Sequence, residues 1–175
     1  MGTITDLLIK HDGAKEGFER YYDILFKEFK DKEFNLFEIG IFLGNSMYMW
    51  QDYFSKANIY AIDIFESHAN RYFGERVKTF AVAQDNKERL TNLVDEIGTF
   101  DIIIDDGGHK LDMQTASFEV LGKYVNKGGL YCIEDVFNTH SKELVEVLNK
   151  DNSFKWELRA HGIKDDVELF VLRKL

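Results

Sequence analysis

Acidic side chains crowd two short stretches, Asp105-Asp106-Gly107-Gly108-His109 and Glu134-Asp135. Each follows an apolar run, which places both at strand ends along one edge of a sheet. Four carboxylates gathered there would repel one another, and a divalent cation is the physical remedy. Ligation by carboxylate oxygens and water suits Mg²⁺ or a similar hard ion better than zinc. His109 follows a Gly-Gly turn three residues after Asp106, so it can face the same cleft without ligating the ion. With an ordinary pKa of about 6.5, an imidazole is suited to take a proton from an alcohol at neutral pH. A cation on the alcohol oxygen would lower that alcohol's own pKa. Any one of these acids alone reads as a solvated side chain or a helix cap; the constellation reads as a metal site with a base.

A second site is written in Glu38-Ile39-Gly40-Ile41-Phe42-Leu43-Gly44-Asn45-Ser46, which ends one strand and opens a helix. Backbone N–H groups and a helix N-terminus at such a turn point into the crevice of a doubly wound sheet. Gly40 and Gly44 would let a ligand lie against bare backbone, and Ser46 would cap the helix or donate to the ligand. The spacing is not the dinucleotide G-x-G-x-x-G. About 20 residues on, the strand Ile59-Tyr60-Ala61-Ile62-Asp63 ends in an acid, and a carboxylate there can accept both hydroxyls of a ribose. Gln84 and Asp85, after the third strand, could reach an adenine edge, although a plain polar loop is an equally good reading.

Strand and helix must alternate to position these groups. Strands are expected at Asn35–Ile39, Asn58–Ile62, Val77–Val82, Phe100–Ile104 and Gly129–Ile133, with helices near Ser46–Phe54, Ser67–Phe73, Lys87–Ile97, Leu111–Val125 and Ser141–Lys150. Runs such as Ile102-Ile103-Ile104 are apolar on consecutive positions, as in a parallel sheet covered on both faces. Phe154–Ala160 and Val167–Leu172, joined by Gly162–Asp166, are too close for a helical crossover and should pair antiparallel. At the N-terminus, Phe18, Tyr21, Tyr22, Leu25, Phe26 and Phe29 give helical spacing from Glu16 to about Lys30, preceded by a shorter helix capped by Thr3 or Thr5. Tyr48, Trp50, Tyr53, Phe54, Met47, Met49 and Cys132 read as core. His11, His68, His140 and His161 read as surface or loop residues, with His140 placed to line a substrate entrance.

The 175 residues, 45% hydrophobic, suffice for one domain, residues 1–175, whose N-terminal helices in 1–33 would cover the site. With 31 acidic against 22 basic residues the formal charge is -9, which disfavours a nucleic-acid or anionic-membrane binder. One cysteine excludes an intramolecular disulfide and fits a reducing, cytoplasmic setting. No segment has the apolar length of a signal peptide core or a membrane span, and Asp6 stands where a myristoylation motif after Met1-Gly2 needs Ser or Thr.

Five motifs in order resemble the class I S-adenosylmethionine-dependent methyltransferases, specifically the metal-dependent branch of macrolide sugar O-methyltransferases and cephalosporin-hydroxylase-like proteins. They are Glu38-Ile39-Gly40 to Ser46, Met49-Trp50-Gln51-Asp52-Tyr53-Phe54, Asp63, Asp105-Asp106-Gly107-Gly108-His109, and Lys127-Gly128-Gly129-Leu130 leading into Ile133-Glu134-Asp135. The resemblance implies a Rossmann-like three-layer α/β sandwich with a seven-stranded, mostly parallel sheet and an antiparallel last strand. It also implies Glu38, Gly40, Gly44, Ser46 and Asp63 around S-adenosylmethionine, Asp105 nearer the cofactor, Asp106, Glu134 and Asp135 on Mg²⁺, and His109 as base. The acceptor would be a hydroxyl of a sugar or small polyol-bearing natural product or glycan. A homo-oligomer is compatible with this reading. Departures are Gly108 where the family has serine, Ala83 where an acid is expected near adenine, and a chain far shorter than the macrolide enzymes. The rivals are a catalytically silent cofactor-binding or scaffold subunit and, less favoured, an NAD-dependent oxidoreductase.

Overall fold

The computed structural model describes residues 2–164 and 166–175. Seven strands among these residues, β1 (Asn35–Ile39), β2 (Asn58–Asp63), β3 (Val77–Ala81), β4 (Phe100–Asp105), β5 (Val125–Phe137), β6 (Phe154–Lys164) and β7 (Val167–Lys174), form one sheet in the order β3-β2-β1-β4-β5-β7-β6. All neighbours from β3 to β5 are parallel, and β7 runs antiparallel to both β5 and β6. The helices are α1 (Ile4–Leu8), α2 (Glu19–Leu25), α3 (Asn45–Tyr53), α4 (Glu66–Ala69), α5 (Lys87–Ile97), α6 (Leu111–Leu121) and α7 (Ser141–Leu148). None is long and apolar enough to cross a membrane.

Two apolar cores lie on opposite faces of the sheet, and the pleat assigns residues to them alternately. Leu36, Ile102, Ile104, Leu130 and Cys132 pack with the N-terminal helices and α3; Phe37, Ile103, Tyr131 and Ile133 pack with α5, α6 and α7. On the first face Tyr22 stacks on Phe26 at 4.5 Å between ring centroids, and Trp50 meets both edge-on at 6.0 and 5.8 Å. That cluster docks α2 onto α3. The strand order reverses between β1 and β4, so a crevice opens beyond their carboxyl ends.

Most expected elements form, with shifted limits. The helix expected from Glu16 starts at Glu19, stops at Leu25 and continues as a 3-10 turn over Lys27–Phe29. α4 is a single turn, shorter than Ser67–Phe73. The expected helix Leu111–Val125 ends at Leu121, because a 3-10 turn, Gly122–Tyr124, feeds directly into β5. β5 is much longer than Gly129–Ile133, because its pairing with β7 continues out to Phe137↔Val167. β6 likewise runs on through Lys164; Asp165 of the expected connection lies outside the described residues. Thr3 is the cap of α1, in a reciprocal capping box with Asp6.

Candidate active site

Glu38 and Glu134 share pleat parity with Leu36 and Cys132, so their carboxylates turn toward the N-terminal helices, where both are buried. They meet Lys15 from the segment between α1 and α2. Its fully buried Nζ lies 2.9 Å from Glu38 Oε1, 2.6 Å from Asp106 Oδ2 and 3.0 Å from Glu134 Oε1. The Tyr22 hydroxyl donates to Glu134 Oε1 at 2.7 Å, and the Trp50 indole N–H donates to Glu38 Oε2. Burial opposes the charge on Lys15, yet Asp106, Glu134 and Glu38 outweigh it and hold the ammonium well above the ordinary lysine range. Burial raises both Glu134 and Glu38 above the usual carboxylate range, with Lys15 pulling against it. Sequence reasoning missed Lys15.

Asp105 has the opposite parity and faces α6. It accepts from the Ser117 hydroxyl and from Gln84 Nε2 at 3.1 Å, while the Gly108 N–H donates to Gln84 Oε1 at 2.6 Å. Burial pushes the Asp105 carboxyl up to about 6, against the pull of those donors. Asp105 therefore braces the turn after β4 through Gln84 and Ser117 and does not itself line the cavity described below.

At the mouth of the crevice stand Asp106, His109 and Asp135, one donor atom from each lying within 4.8 Å of the others. His109 Nε2 is 3.9 Å from Asp106 Oδ1 and 4.0 Å from Asp135 Oδ2, too far for a hydrogen bond. His109 Nδ1 is buried without a hydrogen-bond partner. Backbone strain marks the same place: of four non-glycine residues with positive φ among those described, Phe42, His109 and Asp135 border this cleft, at +47°, +54° and +46°. Asp135 owes its position to a bulge. The β5–β7 register passes from Ile133↔Phe170 to Val136↔Glu168, leaving one extra residue on β5. That residue's left-handed turn swings Asp135 toward the cleft, while Glu134 stays behind with Lys15 and Tyr22. Of the expected set Asp106, Glu134 and Asp135, the cleft groups Asp106 and Asp135 with His109, while Glu134 pairs with Lys15 and Tyr22 beside Asp106. The carboxylates and imidazole present there fit a divalent cation.

Beside this cluster a cavity of about 470 Å³ follows the glycine turn, and Gly40, Gly44, Ser46, Asp63 and Gln84 line it together with Asp106 and His109. Gly40 is obligatory: its φ is +95°, and a Cβ there would sit 2.1 Å from the Asp106 carbonyl oxygen. Three expected cofactor contacts are absent from the wall. Glu38 and Asp105 lie buried behind it, and Asp85 is exposed on the loop outside. Ser46 does not cap α3, whose N-cap is Gly44. Asp63 accepts from the Ile41 and Phe42 N–H groups at 3.0 Å and from the Phe65 N–H at 2.9 Å. Burial would raise its pKa, but these donors and His68 prevail and hold it below the usual range. It pins the glycine turn as well as lining the cavity. His68, read as a surface residue, lines the cavity too, with Nδ1 3.2 Å from Asp63 Oδ2. His11 is nearly buried against Asp52, and His140 approaches Gln114, which in turn holds the Glu134 carbonyl.

The sheet order, the crevice at its reversal and the glycine turn define a Rossmann-like methyltransferase fold. The chain superposes on MycE methyltransferase from the mycinamycin biosynthetic pathway, solved with Mg, SAH and mycinamycin VI, with a TM-score of 0.82 and 22% identity over 99% of this chain and 53% of that one. An O-methyltransferase from Bacillus cereus in complex with SAH gives a TM-score of 0.69 and 18% identity over 98% and 90% of the two chains. In sequence, the homologues are macrolide and sugar O-methyltransferases. Demethylmacrocin O-methyltransferase of Streptomyces fradiae is 36% identical over 136 residues, 73% of this chain and 34% of that protein. Mycinamicin VI 2''-O-methyltransferase of Micromonospora griseorubida is 33% identical over 136 residues, 73% of this chain and 33% of that protein. The chain spans about a third of the length of these curated relatives. No family model matches it.

Proposed function

We propose that this chain is an S-adenosylmethionine-dependent O-methyltransferase that acts, with Mg²⁺ or a similar cation, on a hydroxyl of a sugar or small polyol. The observation that carries this reading is the continuity of two features. Asp106 and His109, which with Asp135 form the cation-sized cluster, are also part of the wall of the cavity along the glycine turn. The relatives' names favour a glycoside acceptor, and the charge of -9 disfavours nucleic acid.

In this reading the bare backbone at Gly40 and Gly44 and the N-terminus of α3 receive the cofactor, flanked by Asp63 and Gln84. The cofactor supplies an electrophilic methyl group on a sulfonium. Asp106, Asp135 and Glu134 would hold the divalent cation, which would supply a lowered pKa to a hydroxyl bound beside it. His109, strained toward both carboxylates, accepts the hydroxyl proton at Nε2. The segment between α1 and α2 adds Ala14 to the cavity wall and sets Lys15 against Asp106.

The test is transfer of a labelled methyl group from S-adenosylmethionine to a panel of glycosides and polyols, with and without EDTA. Expected are EDTA-sensitive transfer, a loss of roughly 100-fold or more in His109→Ala, and retained SAH binding by calorimetry in that variant. Full activity in His109→Ala or transfer indifferent to EDTA would reject the mechanism. A chain that binds SAH yet methylates nothing would favour the silent-subunit reading, and stabilisation by NAD rather than SAH the oxidoreductase.

A further inference from the structure

α6 begins two residues after His109, and its inner face meets the carboxyl ends of β4 and β5 at two polar contacts. Ser117 donates to Asp105, the residue before Asp106. Three positions earlier on the same helix face, Gln114 donates from Nε2 at 3.1 Å to the carbonyl of Glu134, the residue before Asp135. Both helix residues are fully buried. Asp105 accounts for Ser117, whereas Gln114 has no part in the chemistry above.

Gln114 meets the chain where the sheet stops pairing with it. The β5–β7 register passes from Ile133↔Phe170 to Val136↔Glu168 and the β4–β5 register ends at Asp105↔Ile133, so neither ladder gives Glu134 or Asp135 a register partner. A buried carbonyl there needs a donor, and Gln114 supplies one. Because a carbonyl only accepts, the Gln114 amide presents its NH₂ group to Glu134 and its oxygen to His140 Nε2, 3.3 Å away. His140 is therefore the donor in that contact. It stands at the N-cap of α7, and its own backbone N–H donates to the Phe137 carbonyl at 3.0 Å. The amide is thus held at both ends and ties α6 to the end of β5 and the start of α7.

The Glu134 carbonyl and the Asp135 N–H belong to one planar peptide unit. Fixing that plane fixes how the chain enters Asp135, whose φ of +46° is strained for a residue with a side chain. The Glu134 carboxylate has separate anchors in Tyr22 and Lys15.

We infer that Gln114 is a positioning residue for the cation site: by holding the Glu134 carbonyl it fixes the peptide plane that aims Asp135 at Asp106 and His109. The inference deepens the proposed cation site and rests on that reading of the cleft.

Mn²⁺ binding to the protein without cofactor, followed by electron paramagnetic resonance of free Mn²⁺, tests it alongside SAH binding by calorimetry. Gln114→Met keeps the length of the side chain and loses both hydrogen bonds. Mn²⁺ affinity should fall about tenfold or more, while SAH affinity stays within about twofold. In an Asp135→Asn background the same substitution should weaken Mn²⁺ binding by no more than about twofold further, because the carboxylate it aims is gone. His140→Ala removes only the outer hydrogen bond and should cost about threefold; it decides the matter if Gln114→Met fails to fold. Unchanged Mn²⁺ affinity in these variants overturns the inference. So does a parallel fall in SAH affinity, which would mark general loosening of the fold, or a full tenfold loss that persists beside Asp135→Asn. The two readings fail separately. An unmodified chain that binds no Mn²⁺ at millimolar concentration overturns the cation site and this inference together, whereas one that binds it but is indifferent to Gln114→Met overturns only the role of Gln114.

Discussion

Replacing Gly40 by alanine tests the closure of the turn after β4 onto β1. The Gly40 N–H donates to the Ile62 carbonyl at 2.8 Å and the Asp106 N–H to the Ile39 carbonyl at 3.0 Å, so both loops are fixed by backbone hydrogen bonds. An added Cβ at φ +95° would lie 2.1 Å from the Asp106 carbonyl oxygen, where real Cβ atoms stay beyond 3.0 Å. The left-handed backbone costs about 1–2 kcal/mol for a non-glycine residue. Forcing the two loops apart adds about 1–3 kcal/mol. The total, about 2–5 kcal/mol, lowers the melting temperature of a chain of this size by about 5–15 °C. Gly128 is the control: its φ is +82°, but a Cβ there meets nothing within 4 Å, and it sits at the opposite end of the sheet, near the start of β5. Gly128→Ala should lose only the backbone component, about 3–6 °C, and bind SAH normally. Gly40→Ala should bind SAH at least about tenfold more weakly, because the displaced Asp106 carries the cavity wall with it. Differential scanning calorimetry and isothermal titration check both. Equal melting temperatures and equal SAH affinity in the two variants would refute the argument that the Asp106 carbonyl closes the glycine turn.

Asp105 governs part of the pH dependence of stability. Its folded pKa of about 6 exceeds the ordinary 3.8, so between those values the folded chain holds a proton that the unfolded chain releases, and this group's effect is to lower stability as pH rises through the window. Asp105→Asn, which can still accept from Gln84 and donate to Ser117, should remove that decline and gain about 2–3 kcal/mol over the unmodified chain at pH 8 relative to pH 4. Urea midpoints across this range decide it, parallel profiles for the two proteins being the contrary result. Trp50→Phe removes the donor to buried Glu38 while keeping an aromatic ring against Tyr22 and Phe26; the loss should be about 2–3 kcal/mol by urea unfolding. A loss below about 0.5 kcal/mol would mean that Lys15 alone satisfies Glu38.

Much of this molecule is legible from its sequence because the signals are local. Alternating apolar runs and amphipathic stretches place β1 to β5 and the intervening helices, and Gly40 and Gly44 announce a ligand turn through the backbone conformations that they alone tolerate. Asp106, His109 and Asp135 could be nominated from residue type and from their place after apolar runs. The orientation of adjacent acids was harder. Asp105 and Asp106 are neighbours in the chain, yet pleat parity sends one to Ser117 and the other to the cleft, and the parity of Ile103 and Ile104 carried that information. The bulge at Asp135 had no such trace, since it exists only through the register between β5 and β7. Lys15 lies 91 residues from Asp106, and nothing in its own surroundings distinguishes it from a solvated lysine. Only packing of Tyr22 and Phe26 on Trp50 brings that segment over the strand ends. Charge pairing across such separations depends on where folding delivers each side chain, so the meeting of Lys15 with Glu38, Asp106 and Glu134 was decided by tertiary structure.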